Sequence, residues 1–273
     1  MPDRNGCSQS ARPRPAIRLL GIGLLFAWLA TAQTGAPPSA PPAPAGAPAL
    51  MTRALQLFNA KAYASAFVVF REAADAGSVE AMMYLGVMSG TGQGTVLDYQ
   101  QALDWFRRAA NAGDTQAMTN IGLLYYQGHG VARDYKQALS WFHRAAEQGN
   151  SEAMYNMGIL YRDGLGLPVD YAEAMKWFRK SADAGDAVAC NEIGALYQSG
   201  HGVPVDYTQA LTWYRNAADY GNSSAMFNIA VLWEDGLGTP KDRETAITWY
   251  RRAAAAGNTQ ARDRLKALGV VQQ

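Results

Sequence analysis

Five tryptophans, Trp105, Trp141, Trp177, Trp213 and Trp249, stand thirty-six residues apart without an insertion. A chain that repeats at this period buries each unit's apolar face against its neighbours, so it must fold as a stacked array. Other columns keep the same step. Small residues recur at Ala81, Ala117, Ala153, Ala189, Ala225 and Ala261, and again at Gly86, Gly122, Gly158 and Gly194, with Ala230 closing that series. Paired glycines fall at 92/94, 128/130, 164/166, 200/202 and 236/238, and aspartates at 98, 134, 170, 206 and 242. The stretch "GHGVARDYKQALSWFHRAAEQG" (128–149) resembles an active site when read alone, yet its conspicuous residues all sit in these columns. Architecture explains them before chemistry does.

Within a unit the signals predict two antiparallel helices. Helix A starts after Ser78, Asp114, Asn150, Asp186 or Asn222, all good N-cap types. It ends at the glycine pair, where the chain must take positive φ. Helix B starts at the aspartate column, with Gln101, Gln137, Glu173 and Gln209 three residues on, which is capping-box spacing. It closes at Gly113, Gly149, Gly185, Gly221 and Gly257. No stretch carries a strand pattern.

These columns, as in "EAMYNMGILYRDGLGLPVDYAEAMKWFRKSADAG" (152–185), resemble the Sel1-like repeat family, a relative of the tetratricopeptide repeat. The resemblance implies an all-α, right-handed solenoid of antiparallel helix pairs in five 36-residue units: 78–113, 114–149, 150–185, 186–221 and 222–257. Residues 50–77 read as a degenerate N-terminal repeat, because Tyr63, Ala66, Phe70, Ala73, Ala74 and Gly77 match helix B while the glycine-pair loop is missing. Residues 258–273 read as a capping helix and tail, with Arg262, Arg264 and Lys266 wetting the outer face.

The chain opens differently. A basic leader with Arg4, Arg12, Arg14 and Arg18 precedes the apolar run "LLGIGLLFAWLA" (19–30) and the small-x-small site Ala30-Thr31-Ala32. This predicts a signal peptide over 1–32, cleaved near Ala32, and a periplasmic or secreted mature chain. The run is too short for the roughly 20 residues that span a bilayer. Residues 33–49 form a Pro/Ala-rich disordered linker. Without residues 1–32 the chain carries 20 basic and 22 acidic side chains. That balance argues against a nucleic-acid partner, which needs a basic stripe. Cys7 leaves with the leader, so Cys190 should remain as a lone, buried, inert thiol in the column of Met82, Met118, Met154 and Met226.

No residue set calls for chemistry. "GTGQG" (90–94) imitates a dinucleotide loop, but it ends a helix instead of following a strand. His129 and His201 occupy one loop position two units apart, too far to share a metal. His143 replaces an arginine found at 107, 179, 215 and 251, and reads as a solvated helix-B residue. The expectation is therefore a protein that is not an enzyme and uses no cofactor or metal.

Helix-A positions equivalent to 80, 83, 84, 87, 90 and 91 vary most between copies, and at 100° per residue they share one arc. Met83, Tyr84, Asn120, Tyr126, Tyr155, Asn156, Arg162, Asn191, Glu192, Phe227 and Asn228 lie on it. Aromatics among adaptable amides suit a protein-binding surface, and Met83, Tyr155 and Phe227 are expected to be exposed there. The resemblance implies that this arc lines the concave face, with Asn120, Asn156 and Asn228 placed to bond a partner's backbone. The chain is then expected to be a monomeric adaptor or regulator of the bacterial cell envelope that binds an envelope or membrane sensor or assembly protein. The alternatives are a β-lactam- or peptidoglycan-acting enzyme, disfavoured because no repeat carries a cysteine pair, and a secreted host-interaction factor.

Overall fold

Residues 46–270 are described by a computed structural model. The expected leader and most of the linker lie outside them. Thirteen helices follow one another, with no strand among the described residues. The first hairpin is α1 (Ala47–Asn59) with α2 (Tyr63–Asp75). The five repeats follow as α3 (Val79–Thr91) with α4 (Tyr99–Asn111), α5 (Thr115–Gln127) with α6 (Tyr135–Glu147), α7 (Ser151–Asp163) with α8 (Tyr171–Asp183), α9 (Ala187–Ser199) with α10 (Tyr207–Asp219), and α11 (Ser223–Asp235) with α12 (Arg243–Ala255). The short α13 (Thr259–Ala267) comes last. The described chain divides into two compact units, an N-terminal one ending at Ala153 and a C-terminal one starting at Met154. From α1 to α6, and again from α8 to α13, each helix packs on the next.

The caps explain why the helices begin and end on schedule. Asp98 accepts from the Gln101 N–H at 2.9 Å, and Asp206 from the Gln209 N–H at 2.9 Å. The capping box is only half formed, however. The N-cap's own N–H is already bonded: Asp98 donates to the Ser89 carbonyl at 2.8 Å, and Asp134, Asp170, Asp206 and Asp242 do the same to Tyr125, Tyr161, Tyr197 and Trp233. Gln101 is thus released from its reciprocal role and accepts instead from the Ser89 hydroxyl at 2.7 Å.

The two glycines of each pair do different jobs. The first is the left-handed C-cap of helix A, as at Gly92 with φ 70°. The second is a point of close approach: a Cβ on Gly94 would lie 2.4 Å from the Tyr63 carbonyl carbon, and one on Gly202 2.7 Å from that of Tyr171. The loops that carry Gly94, Gly130, Gly202 and Gly238 therefore seat on the start of the preceding helix B. Because Gly94 meets α2 in this way, the first hairpin is stacked like a full repeat although it lacks a glycine pair. Its own turn passes through Lys61 at φ 60°, a conformation that costs a non-glycine residue about 1 kcal/mol.

A third glycine column holds the two helices of a unit together. A Cβ on Gly86, Gly122, Gly158 or Gly194 would stand 2.4–2.6 Å from the ring of Phe106, Phe142, Phe178 or Tyr214. These rings are buried, as are the alanine columns on both helices.

The ends depart slightly from expectation. Helix α1 begins at Ala47, inside the stretch assigned to the linker, with Pro48 in its first turn, where a missing N–H costs nothing. Arg262, Arg264 and Lys266 are exposed on α13. Arg264 does more than meet water, since its guanidinium binds the Glu234 carboxylate.

Candidate partner-binding surface

The helix-A arc has a different character in each unit. In the N-terminal unit it is largely sealed. Residues 81–90 of α3 are all buried, with Met83 at 2% and Tyr84 at 5% exposure. The Tyr84 ring stacks on Phe70 at 4.5 Å and meets the edge of Phe58, from α1, at 5.5 Å. Burial, helped by the Glu80 charge, pushes its phenol up to about 12. Asn120 is also buried, and its Oδ1 has no hydrogen-bond partner. Tyr126 is half-buried and packs edge-on against Tyr135 at 5.4 Å.

The arc of the C-terminal unit is polar and connected. Arg162 on α7 donates to Glu192 on α9 at 2.6 Å and to Asp163 at 2.6 and 2.9 Å. Asn191 donates to the second oxygen of Glu192 at 3.2 Å, and Asn228 on α11 donates to Asn191 at 3.2 Å. The hydrogen bonds to Asp163, followed by the Glu192 charge, hold the guanidinium above its ordinary value against the opposing cost of burial. Tyr155 and Asn156 are buried, Tyr155 with its ring 5.7 Å from that of Phe178 and Asn156 with an unpartnered Nδ2. Phe227 is half-buried, 5.5 Å from Tyr250.

Exposure of Met83 and Tyr155 is thus corrected. Variation between copies marked the arc, but these large side chains turn into the helix seams. Tyr126, Arg162, Glu192, Phe227 and Asn228 keep partial exposure, whereas Met83, Tyr84, Asn120, Tyr155, Asn156 and Asn191 are core or nearly so. Two arc residues, Gln198 and Glu234, were missed. Tyr214 donates its hydroxyl to Gln198 at 2.6 Å, and Tyr250 donates to Glu234 at 2.7 Å. The signal was present in the sequence: phenylalanine becomes tyrosine at 214 and 250 only in the units where the facing arc position becomes Gln198 or Glu234.

The remaining conspicuous residues have packing roles. His129 stacks on Tyr99 at 4.6 Å and His201 on Tyr171 at 4.4 Å. Among the described residues no group of three or more His, Cys, Asp and Glu side chains could hold a metal ion, and no helix is long and apolar enough to cross a membrane. Cys190 is fully buried. The other cysteine, Cys7, lies outside the described residues.

The outer helix-B faces carry cations laid over indoles. Arg108 lies 4.3 Å from the Trp105 ring, Arg144 4.3 Å from Trp141, Lys180 4.0 Å from Trp177 and Arg252 4.0 Å from Trp249. In the fourth unit Asn216 stands in that column, and Arg179 lies 6.0 Å from the Trp213 ring.

Comparison with known proteins follows the same periodicity. The Sel1 repeat model matches residues 79–114, 115–150, 151–186, 187–222 and 223–258. A Sel1 repeat protein from Oxalobacter formigenes is 33% identical, with TM-score 0.75 over 80% of this chain and 89% of that one. The protein c5321, described as a protective antigen of uropathogenic Escherichia coli strains with an SLR fold, is 34% identical, with TM-score 0.72 over 83% of this chain. The match spans about half (51%) of c5321. PilF of Pseudomonas aeruginosa, 18% identical with TM-score 0.59 over 81% of this chain and 97% of its own, shares the fold. No curated protein matches the chain.

Proposed function

The chain belongs to the Sel1 repeat family, and on that premise we propose that it is a non-enzymatic adaptor or regulator of the bacterial cell envelope that binds a protein partner through the helix-A arc. Sel1 repeat proteins are generally protein-interaction scaffolds. The observation that carries the finer reading is the run Arg162–Glu192–Asn191–Asn228, which links α7, α9 and α11 along the arc. Side chains already fixed by one another lose little entropy on docking, and a fixed polar row beside a half-buried aromatic such as Phe227 is the composition of a recognition surface. The polar groups here hold one another and present no nucleophile to a base. The envelope assignment rests on the basic, apolar and small-residue leader.

A photo-crosslinking side chain placed at Phe227 tests the arc. It should trap a discrete partner in cells, while the same group at Ser140, on the outside of α6, should trap none. Trapping from Ser140 alone would move the working face to helix B. Fractionation should find the mature chain in periplasm or medium, beginning near Gln33. Full-length chain in the membrane would overturn cleavage. Release into the medium would favour the host-interaction reading, which the likeness to c5321, a protective antigen, supports.

A further inference from the structure

The helix-A arc of the C-terminal unit repeats one cross-helix pairing, and at one place that pairing is open. Arg162, Gln198 and Glu234 share one column, and Glu192, Asn228 and Arg264 share another. Across these columns Arg162 bonds Glu192 at 2.6 Å, and Arg264 bonds Glu234 at 3.0 Å with the charges exchanged. Both pairs span thirty residues. Gln198 and Asn228 hold the same two positions between them and make no hydrogen bond to each other. Asn228 is too short to cross as Arg264 does. Neighbours fix both amides instead. A carboxylate only accepts, so Glu192 takes the Nδ2 of Asn191 at 3.2 Å. The Asn191 Oδ1 then takes the Nδ2 of Asn228 at 3.2 Å, which leaves the Asn228 Oδ1 open. On the other side the Tyr214 hydroxyl donates to the Gln198 Oε1 at 2.6 Å, a length that suits O–H···O rather than N–H···O, so the Gln198 Nε2 is left open. Burial, then the Glu192 charge, pushes the Tyr214 phenol above its ordinary value, which keeps it a donor. Gln198 and Asn228 are half-buried, and both open atoms reach solvent.

Beside the open amides the surface is notched. The column Val87, Leu123, Ile159, Ala195 and Val231 carries a larger apolar side chain in every copy except at Ala195. Ala195 is half-buried and lies on α9 between Glu192 and Gln198, on the same side of the helix. On the reading that the helix-A arc binds the partner, we propose that this place takes one main-chain peptide group of an uncharged, extended partner segment, whose adjoining apolar side chain fills the notch over Ala195. A trans peptide group turns its C=O and N–H in opposite directions, so it can accept from the Gln198 Nε2 and donate to the Asn228 Oδ1. An extended chain has these groups to offer, whereas a helix has already paired them internally. A charged residue here would compete with the ion pairs of Arg162 with Glu192 and of Arg264 with Glu234, which are closed on either side. Amides already held by Asn191 and Tyr214 lose little freedom on docking.

The full mature chain is titrated with the blocked peptide acetyl-Ser-Ala-Leu-Ala-Ser-amide, and the side-chain amide resonances of Gln198 and Asn228 are followed by NMR. Binding should saturate in the millimolar range, move both resonances and depend little on salt. N-methylation at the leucine and the alanine after it, which removes the donors, should weaken binding at least fivefold, and so should replacement of the leucine by glycine. The double variant Q198R/N228E rebuilds the ion pair of Arg162 with Glu192 and should weaken binding at least tenfold. Ala195→Ile installs the side chain that the same column carries at Ile159 and should do the same. Ser140→Ala, on the outside of α6, should change binding less than twofold, and circular dichroism verifies the fold of each variant. No movement of the two resonances at millimolar peptide, undiminished binding in either arc variant, or equal affinity for the methylated peptide would each overturn the proposal. Tighter binding of an N-acetylglucosamine oligomer, whose acetamide offers the same C=O and N–H, would also overturn it, by making the ligand a glycan. Trapping from Phe227 in cells separates this site from the arc as a whole. A trap that persists at full yield in Q198R/N228E would overturn the site and leave the arc standing, whereas loss of the trap in that variant supports both.

Discussion

The N-terminal and C-terminal units follow one backbone plan and spend their variable side chains in opposite ways. In the N-terminal unit α1 lays Phe58 against Tyr84, and the helix-A arc of α3 becomes interior. Two of its outer arginines, Arg107 and Arg108, are tied to Asp104 and Asp75. In the C-terminal unit the arc carries Arg162, Glu192 and Asn228, all partly exposed, and the outer cations Arg215 and Arg251 are unpaired. The repeat columns decide where the chain goes, and the columns between them decide whether a surface is closed or available. A repeat protein can therefore close one surface and leave another open without altering its backbone.

If the framework is common to both units, its disruption should cost the same in each. Phe142→Ala and Phe178→Ala empty equivalent, fully buried sites, and each should lose about 3–5 kcal/mol in chemical denaturation. Costs that differ by more than about 2 kcal/mol would show that the framework itself is unequal. The next effect is smaller. Gly94→Ala and Gly202→Ala place a methyl against the backbone of α2 or α8 at positive φ, and each should cost about 2–3 kcal/mol. Gly113→Ala, with nothing within 4 Å of its Cβ, should cost only about 1 kcal/mol, for φ alone. Similar losses at Gly94 and Gly113 would remove the close-approach argument.

Acid should separate the units by sign, with the smallest effect. The hydrogen bond from Arg264, then that from Tyr250, holds the Glu234 carboxyl below its ordinary 4.5. Its contribution is present above that value and is lost as pH falls through the lowered one. Burial holds Asp114, in the N-terminal unit, above its ordinary 3.8. Its charged form is penalised in the fold, so the penalty grows as pH rises from 3.8 through the raised value and vanishes on acidification. Hydrogen exchange between pH 5 and 3 should therefore show α13 loosening while the first turn of α5 does not. Glu234→Gln should abolish the change at α13. Equal acid response in both places would contradict these assignments.

Much of this fold was legible because its controlling residues are local and obligatory. Positive-φ glycines, aspartate caps and the glycine facing an aromatic have few substitutes, so they recur and can be counted. The half-formed capping box was not legible, because the Ser89 carbonyl that satisfies Asp98 is brought there only by the folded loop. The arc was legible as a set of positions and misread as a degree of exposure. Variation at Tyr84 reflects a neighbour that varies with it, Phe58, from a hairpin whose loop departs from the repeat. The Tyr250–Glu234 bond was written in two columns that change together, a relation that inspection of either column alone does not show.

The seating of the second loop glycine on the preceding helix B, within each compact unit, gives the chain a direction in time. Gly94 docks on Tyr63, Gly130 on Tyr99, Gly202 on Tyr171 and Gly238 on Tyr207, always on a segment made about thirty residues earlier. A chain that emerges N-terminus first therefore meets, at these four loops, a platform that is already present. Contacts this close in sequence favour rapid closure, and stacked units can add one at a time. Within each compact unit, assembly can then follow the order in which the helices appear.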